Sequence, residues 1–315
     1  MLTALLAAGC GALRPATAPQ AARPDTALAL GPPLARFEAA TGVGVVPGGA
    51  VYVTDAGRDA VVRLPRGEPS GPGRKQILGG PGGAAGEFDA PADVDPTNGL
   101  MIVVADAGNG RVQRFSEEFR HLETLPVGRG HAAGEEAPAR PAPDARTDAT
   151  NDLGGGRPVA AREPGGDATY ALDAAAGHVL RWEDQRRTVR VIGGFSGGSD
   201  GALRDPVDLA VGPGGTLYVA DAGRESVMTY DRFGSFLTRR ARELAGNARS
   251  VAVSAGGRLY LARARSVLVF GREGRLLRRA ELRLPEGAEG GVVSVAPSGR
   301  GLYVLTERAL FRVEL

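Results

Sequence analysis

Short apolar runs with a two-residue alternation recur along this chain, each cut off by Gly, Pro or Asp, and this is the pattern of strands joined by tight turns. The clearest unit is Pro206-Val207-Asp208-Leu209-Ala210-Val211, a Gly-Pro-Gly-Gly turn, Leu217-Tyr218-Val219-Ala220-Asp221, a second turn at Ala222-Gly223-Arg224, and Ser226-Val227-Met228-Thr229-Tyr230. The same order returns at Pro91-Ala92-Asp93-Val94 with Met101 to Asp106 and Arg111 to Phe115. It returns again at Val51 to Asp55 with Val61 to Leu64. Weaker copies follow at Thr169 to Asp173, Arg258 to Arg263 and Gly301 to Thr306. Residues 55, 106, 173, 221, 263 and 306 end the middle strand of each copy, so the spacings are 51, 67, 48, 42 and 43. Six units of this length, each unable to bury its own apolar face, predict an all-β, six-bladed β-propeller.

Leu217 to Gly223, and Ala105-Asp106-Ala107-Gly108-Asn109-Gly110-Arg111-Val112-Gln113, closely resemble the signature of NHL-repeat propellers. The Gly-rich connections Leu78 to Pro91 and Ile192 to Pro206 resemble that family's links between blades. The likeness spans roughly residues 26–315 and weakens in the fifth and sixth copies, where Arg263 and Thr306 replace the Asp. The resemblance implies a closed ring whose connections emerge on a ligand-carrying face. Related six-bladed propellers include lactonases and lyases that hold a divalent cation on the channel axis.

Read as chemistry, most of these letters are structural. The strand-ending Asp is expected to cap its own turn, with the Gly two residues later supplying a positive φ. Val61, Val112, Val179 and Val227 share one register, and Leu64, Phe115, Trp182 and Tyr230 stand three further on, as core positions between blades. After Thr306 only the strand Ala309 to Leu315 fits, so the last blade lacks its outer strand. Asp25 to Leu30 is expected to fill that place, an N-terminal strand completing the last blade and removing an open edge. Residues 128–156 break the period and form an insertion between the second and third blades, either a lid or a plain loop.

Charge and cysteine usage narrow the class. The formal charge of +2 is dispersed with no basic block, which argues against nucleic acid as a partner. The single cysteine excludes a disulfide framework. Cys10 closes the run Leu5-Leu6-Ala7-Ala8-Gly9-Cys10, which resembles a lipoprotein lipobox, although Met1-Leu2-Thr3 carries no positive charge. Residues 1–10 then form a signal segment, 11–25 a tether and 26–315 the propeller. The expected location is the outer membrane facing the periplasm, held by a lipid on Cys10 alone, as a monomer.

No catalytic motif stands out. His121, His131 and His178 lack ligand spacing, no Gly-x-Ser-x-Gly elbow occurs, and the Gly runs do not open helices, so neither a metal, a cofactor nor a catalytic residue is assigned. Positions thirteen before each anchor are Gly42, Asp93, Ala160, Asp208 and Ser250, and these should face the channel entrance. Asp93 and Asp208, with Arg58, Arg111, Arg224, Arg157 and Arg249 around them, form the candidate binding surface. The expectation is a non-catalytic binding or scaffold module for a protein or envelope component. The alternative is a divalent-cation-dependent propeller enzyme of lactonase or lyase type.

Overall fold

The computed structural model describes residues 23–46, 49–65, 75–96, 99–127, 158–162, 168–183, 189–194, 200–286, 288 and 290–315. Cys10, Arg157, His131, the lipobox and the 128–156 insertion lie outside them. The protein is an all-β, six-bladed propeller. Blade 1 runs outward through Ala40–Val45, Val51–Asp55, Ala60–Leu64 and Gln76–Gly79, and blade 2 through Pro91–Asp95, Met101–Asp106, Arg111–Ser116 and His121–Pro126. Blade 3 comprises Pro158–Arg162, Ala168–Asp173, His178–Glu183 and Val189–Ile192, and blade 4 Pro206–Val211, Leu217–Asp221, Ser226–Tyr230 and Phe236–Arg240. Blade 5 is Ser250–Val253, Leu259–Ala262, Ser266–Phe270 and Leu276–Arg283, and blade 6 is Val292–Ser298, Gly301–Thr306 and Ala309–Glu314. The helical content among the described residues is one turn at Pro213–Gly215.

Apolar side chains fill each junction between neighbouring blades, because each sheet presents an apolar face to the next. Val61, Val112, Val179 and Val227 are buried as expected, and so are Leu64, Phe115, Trp182 and Tyr230. Phe88, from the link into blade 2, joins Phe115 in the junction between blades 1 and 2. Inner strands touch their neighbours around the whole ring, blade 6 meeting blade 1.

Closure uses an N-terminal strand, but a different one from the segment expected. Ala35–Arg36 completes blade 6, pairing antiparallel with Ala309 and Leu310, and Leu34 N–H and Phe37 N–H donate to the carbonyls of Leu310 and Arg308. The expected segment, Asp25 to Leu30, overlaps Arg23–Ala29, which instead adds a fifth, parallel strand to the outer edge of blade 5. Pro32 and Pro33 explain the division: neither has an N–H to give to a ladder, so pairing with blade 6 starts only beyond them. The long outer strand Leu276–Arg283 offers the earlier segment an edge, and Leu30 then packs into the junction of blades 5 and 6.

The turn chemistry also differs in one respect. Asp55 accepts hydrogen bonds from Glu38 N–H and Ala39 N–H, Asp106 from Asp89 N–H, and Asp221 from Arg204 N–H and Asp205 N–H. These carboxylates therefore clamp the incoming link from the previous blade; as expected, Asp173 and Asp221 also cap their own turns, through Ala176 N–H at 3.1 Å and Arg224 N–H at 2.9 Å. Gly108, two residues after Asp106, is required by space and not by φ: a Cβ there would lie 2.3 Å from the Asp89 carboxyl carbon. The left-handed position falls two residues later, at Asp59, Gly110, Gly177 and Glu225. Where the Asp is missing, Arg263 reaches the link through the Leu244 carbonyl and Thr306 bonds the backbone of Ala309.

Candidate active site

The inner strands begin at the end of the ring where the Asp-anchored turns lie, since each pairs antiparallel with the strand that ends in the anchor. One residue per inner strand follows a bulge and pairs with the residue just before the anchor: Asp93 opposite Ala105, Ala160 opposite Leu172, Asp208 opposite Ala220, Gly42 opposite Thr54 and Ser294 opposite Leu305. Ser250 takes the same place in blade 5 without a bulge. By strand alternation a second tier two residues deeper shares this face, formed by Gly44, Asp95, Arg162, Ala210, Ala252 and Ala296. Small residues fill most of the two tiers, and the charges are three carboxylates and one guanidinium.

Arg162 brings the charges together. Its Nη1 forms an ion pair with Asp93 and donates to its own strand's Ala161 carbonyl, while its Nη2 lies 3.5 Å from Asp208 Oδ1. The Asp93 carboxylate also accepts from Ala161 N–H, and Asp208 accepts from Val251 N–H and Leu209 N–H, each at 2.7 Å. Each of these carboxylates thus bonds the inner strand of the next blade. Gly42 makes room for the arrangement, because a Cβ there would stand 2.7 Å from both the Cα and Oδ1 of Asp93.

Burial opposes the charge on Arg162, but Asp93, Asp208 and Asp95 outweigh it and hold the guanidinium protonated above the ordinary arginine range. Burial pushes Asp208 up to about 6, with Arg162 opposing the shift and Asp93 adding to it. The Asp208 side chain keeps 11% of its surface open and that of Arg162 16%. An aspartate poised near pH 6 beside a fixed positive charge can take and return a proton while the guanidinium holds a developing oxyanion.

The remaining sequence candidates sit elsewhere. Arg111 donates to Asp106 at 2.7 Å and to the carbonyls of Gly83, Ala84 and Glu87, so its guanidinium closes the link into blade 2. Arg224 donates to the Ala202 carbonyl, Arg58 pairs with Glu38 and Asp55, and Arg249 bonds the Gly290 carbonyl. The structure joins Asp93 and Asp208 through Arg162 and leaves these four arginines in the turns and links between blades. Arg162 was not among the sequence candidates; its position two residues after Ala160, on the same strand face, was the signal that could have found it.

No protein-family model matches the sequence, and no curated protein matches it. The fold is shared with solved six-bladed propellers. Virginiamycin B lyase from Staphylococcus aureus superposes with a TM-score of 0.57 at 11% identity, over 88% of this chain and 85% of that one. A gluconolactonase from Xanthomonas campestris gives 0.59 at 16% identity, over 89% and 87%. Regucalcin from Agrobacterium tumefaciens, described as a calcium-binding protein, gives 0.59 at 14%, over 91% and 95%. These comparisons correct the expectation of a non-catalytic binding or scaffold module. Virginiamycin B lyase and the gluconolactonase, which share the fold over nearly its whole length, are enzymes, and the lean away from catalysis has no support. The sequence assigns the channel-facing aspartates to a binding surface only, because neither Arg162 nor the burial of Asp208 is visible in the repeat pattern.

Proposed function

We propose that this protein is a propeller enzyme of the lactonase or lyase type, acting on a small polar substrate at the axial end of its channel. The observation that carries the reading is the partly open Asp93–Arg162–Asp208 constellation, in which one aspartate is poised near pH 6 beside a buried guanidinium. For a lactone, ionised Asp208 removes a proton from water as the water oxygen bonds to the carbonyl carbon, and Arg162 holds the oxyanion. The ring C–O bond then breaks, and the leaving alkoxide recovers the proton from Asp208. A lyase reaction uses the same base and cation: Asp208 removes a proton beside a carbonyl, the freed electron pair forms a C=C bond as the β C–O bond breaks, and the leaving oxygen takes the proton from Asp208.

The test is turnover of a panel of aliphatic and sugar lactones by the purified protein, with Asp208→Asn as the control. Asp208→Asn is expected to lower kcat/KM by about 10²–10⁴-fold, as for the loss of a general base. In the wild type kcat/KM should rise with pH through about 6, since the base must be ionised. A panel without turnover, or turnover indifferent to Asp208, refutes the assignment.

We further propose that the repeats are of the NHL kind and that Cys10 carries a lipid, placing the propeller at the outer membrane facing the periplasm. The motifs at Ala105 to Gln113 and Leu5 to Cys10 support this. Cys10→Ser should move the protein from the membrane fraction to the soluble one.

A further inference from the structure

Regucalcin is described as calcium-binding, and a divalent ion on the axis of such a ring needs several oxygen donors converging with free lone pairs. The residues of this ring do not fit that requirement. The six positions of the first tier hold two carboxylates, two serines, one glycine and one alanine. Both carboxylates already face the Arg162 guanidinium, and both accept backbone N–H bonds. Ser250 Oγ accepts from Val295 N–H. Asp95 lies one tier deeper, beside Arg162. Among the described residues no group of three or more His, Cys, Asp or Glu side chains converges in a way that could hold a metal.

We infer that Arg162 is the built-in cation of this propeller, its guanidinium standing between Asp93 and Asp208 where a divalent ion would otherwise neutralise them, so that the site binds no divalent metal. Two observations carry this independently of any activity. The guanidinium bridges carboxylates from two different blades, which is the task of a shared ion. The other deeper-tier positions Gly44, Ala210, Ala252 and Ala296 are small, so no second long side chain competes with that of blade 3 for the carboxylates of the flanking blades. An arginine cannot be lost to a chelator and does not exchange, and its planar fork selects an oxygen or carboxylate ligand by direction.

The decisive measurement is thermal unfolding of the full chain in EDTA and in millimolar calcium chloride, together with a calcium-binding isotherm. The wild type is expected to keep the same midpoint in both and to give a flat isotherm. Arg162→Met removes the charge at similar length and leaves two carboxylates facing each other. Its midpoint should be low in EDTA and rise by several degrees with calcium, because the ion then binds only the folded state. A wild-type midpoint that climbs with calcium, a saturable wild-type isotherm, or an Arg162→Met protein indifferent to calcium overturns the inference. Should Arg162→Met fail to fold in either buffer, the wild-type isotherm decides alone. Where the lactone panel shows turnover, EDTA should leave it unchanged; that arm alone rests on the enzymatic reading, so a silent panel with a flat isotherm would sink the activity and leave the cation assignment standing.

Discussion

Asp106 and Asp208 are both buried aspartates near the same end of the ring, one at the close of a middle strand and the other near the start of an inner strand. Asp106 accepts bonds from Asp89 N–H, Asn109 Nδ2, Arg111 Nε and Gln113 Nε2. Asp208 accepts two backbone N–H bonds and shares a guanidinium held 3.5 Å away. The first carboxylate is surrounded by four donors and is locked into the fold. The second is buried with too few donors to offset its desolvation, and burial pushes it up to about 6. Identical side chains thirteen positions apart in the repeat therefore do different work, and donor supply separates them.

The contrast breaks most sharply at Asp106. Asp106→Ala leaves one backbone and three side-chain donors without their acceptor, and we expect a loss of about 3–4 kcal/mol in urea unfolding. A loss below about 1 kcal/mol would show that the link into blade 2 does not depend on this clamp. At Asp208 the effect is tied to pH. Its carboxyl is raised from 3.8 to about 6 in the fold, so it contributes stability fully present below about pH 4 and lost as pH rises through 6. Asp208→Asn does not titrate, and from pH 4 to 7 it should gain on the wild type by roughly 2–3 kcal/mol. A difference between the two proteins that stays flat across that window would remove the distinction from Asp106. The smallest change is Arg111→Lys, which keeps the charge but loses the fork that reaches Asp106 and three carbonyls. About 1 kcal/mol of destabilisation is expected from the same urea titration, and a neutral result would reduce Arg111 to a simple point charge.

Much of the ring was legible in the chain because its repeats carry their own register. The strand-ending Asp fixes one position in each copy, and counting back thirteen places found Asp93 and Asp208 on the channel side. Arg162 escaped because its blade is a weak copy, and because an arginine after Ala160-Ala161 looks like the end of an exposed strand until three carboxylates from the neighbouring blades surround it. The turn arginines show the limit of the register from the other side. Arg58, Arg111 and Arg224 recur at one register and so suggest a shared ligand, yet each meets a carbonyl or carboxylate of its own blade or of the link entering it. Closure was legible in kind, while its register was hidden in Leu34 to Phe37, a segment too short to show alternation. The Gly of the turn answers to close approach of the link and not to φ, which the sequence does not distinguish.

Arg308 Nη1 donates to the Glu38 carbonyl across 270 residues of sequence, and Ala40 N–H donates to the Glu307 carbonyl beside it. The strand that shuts the ring is thus among the first described residues to leave a ribosome, and its partner is among the last. At elongation rates of about 5–20 residues per second, the early strand waits roughly 15–50 s for blade 6 to exist. During that interval blades 1 to 4 can stack in order as each emerges, but the circle stays open and an unpaired β-edge persists. Birth order, as much as any pairwise contact, sets the window in which this protein is vulnerable to aggregation.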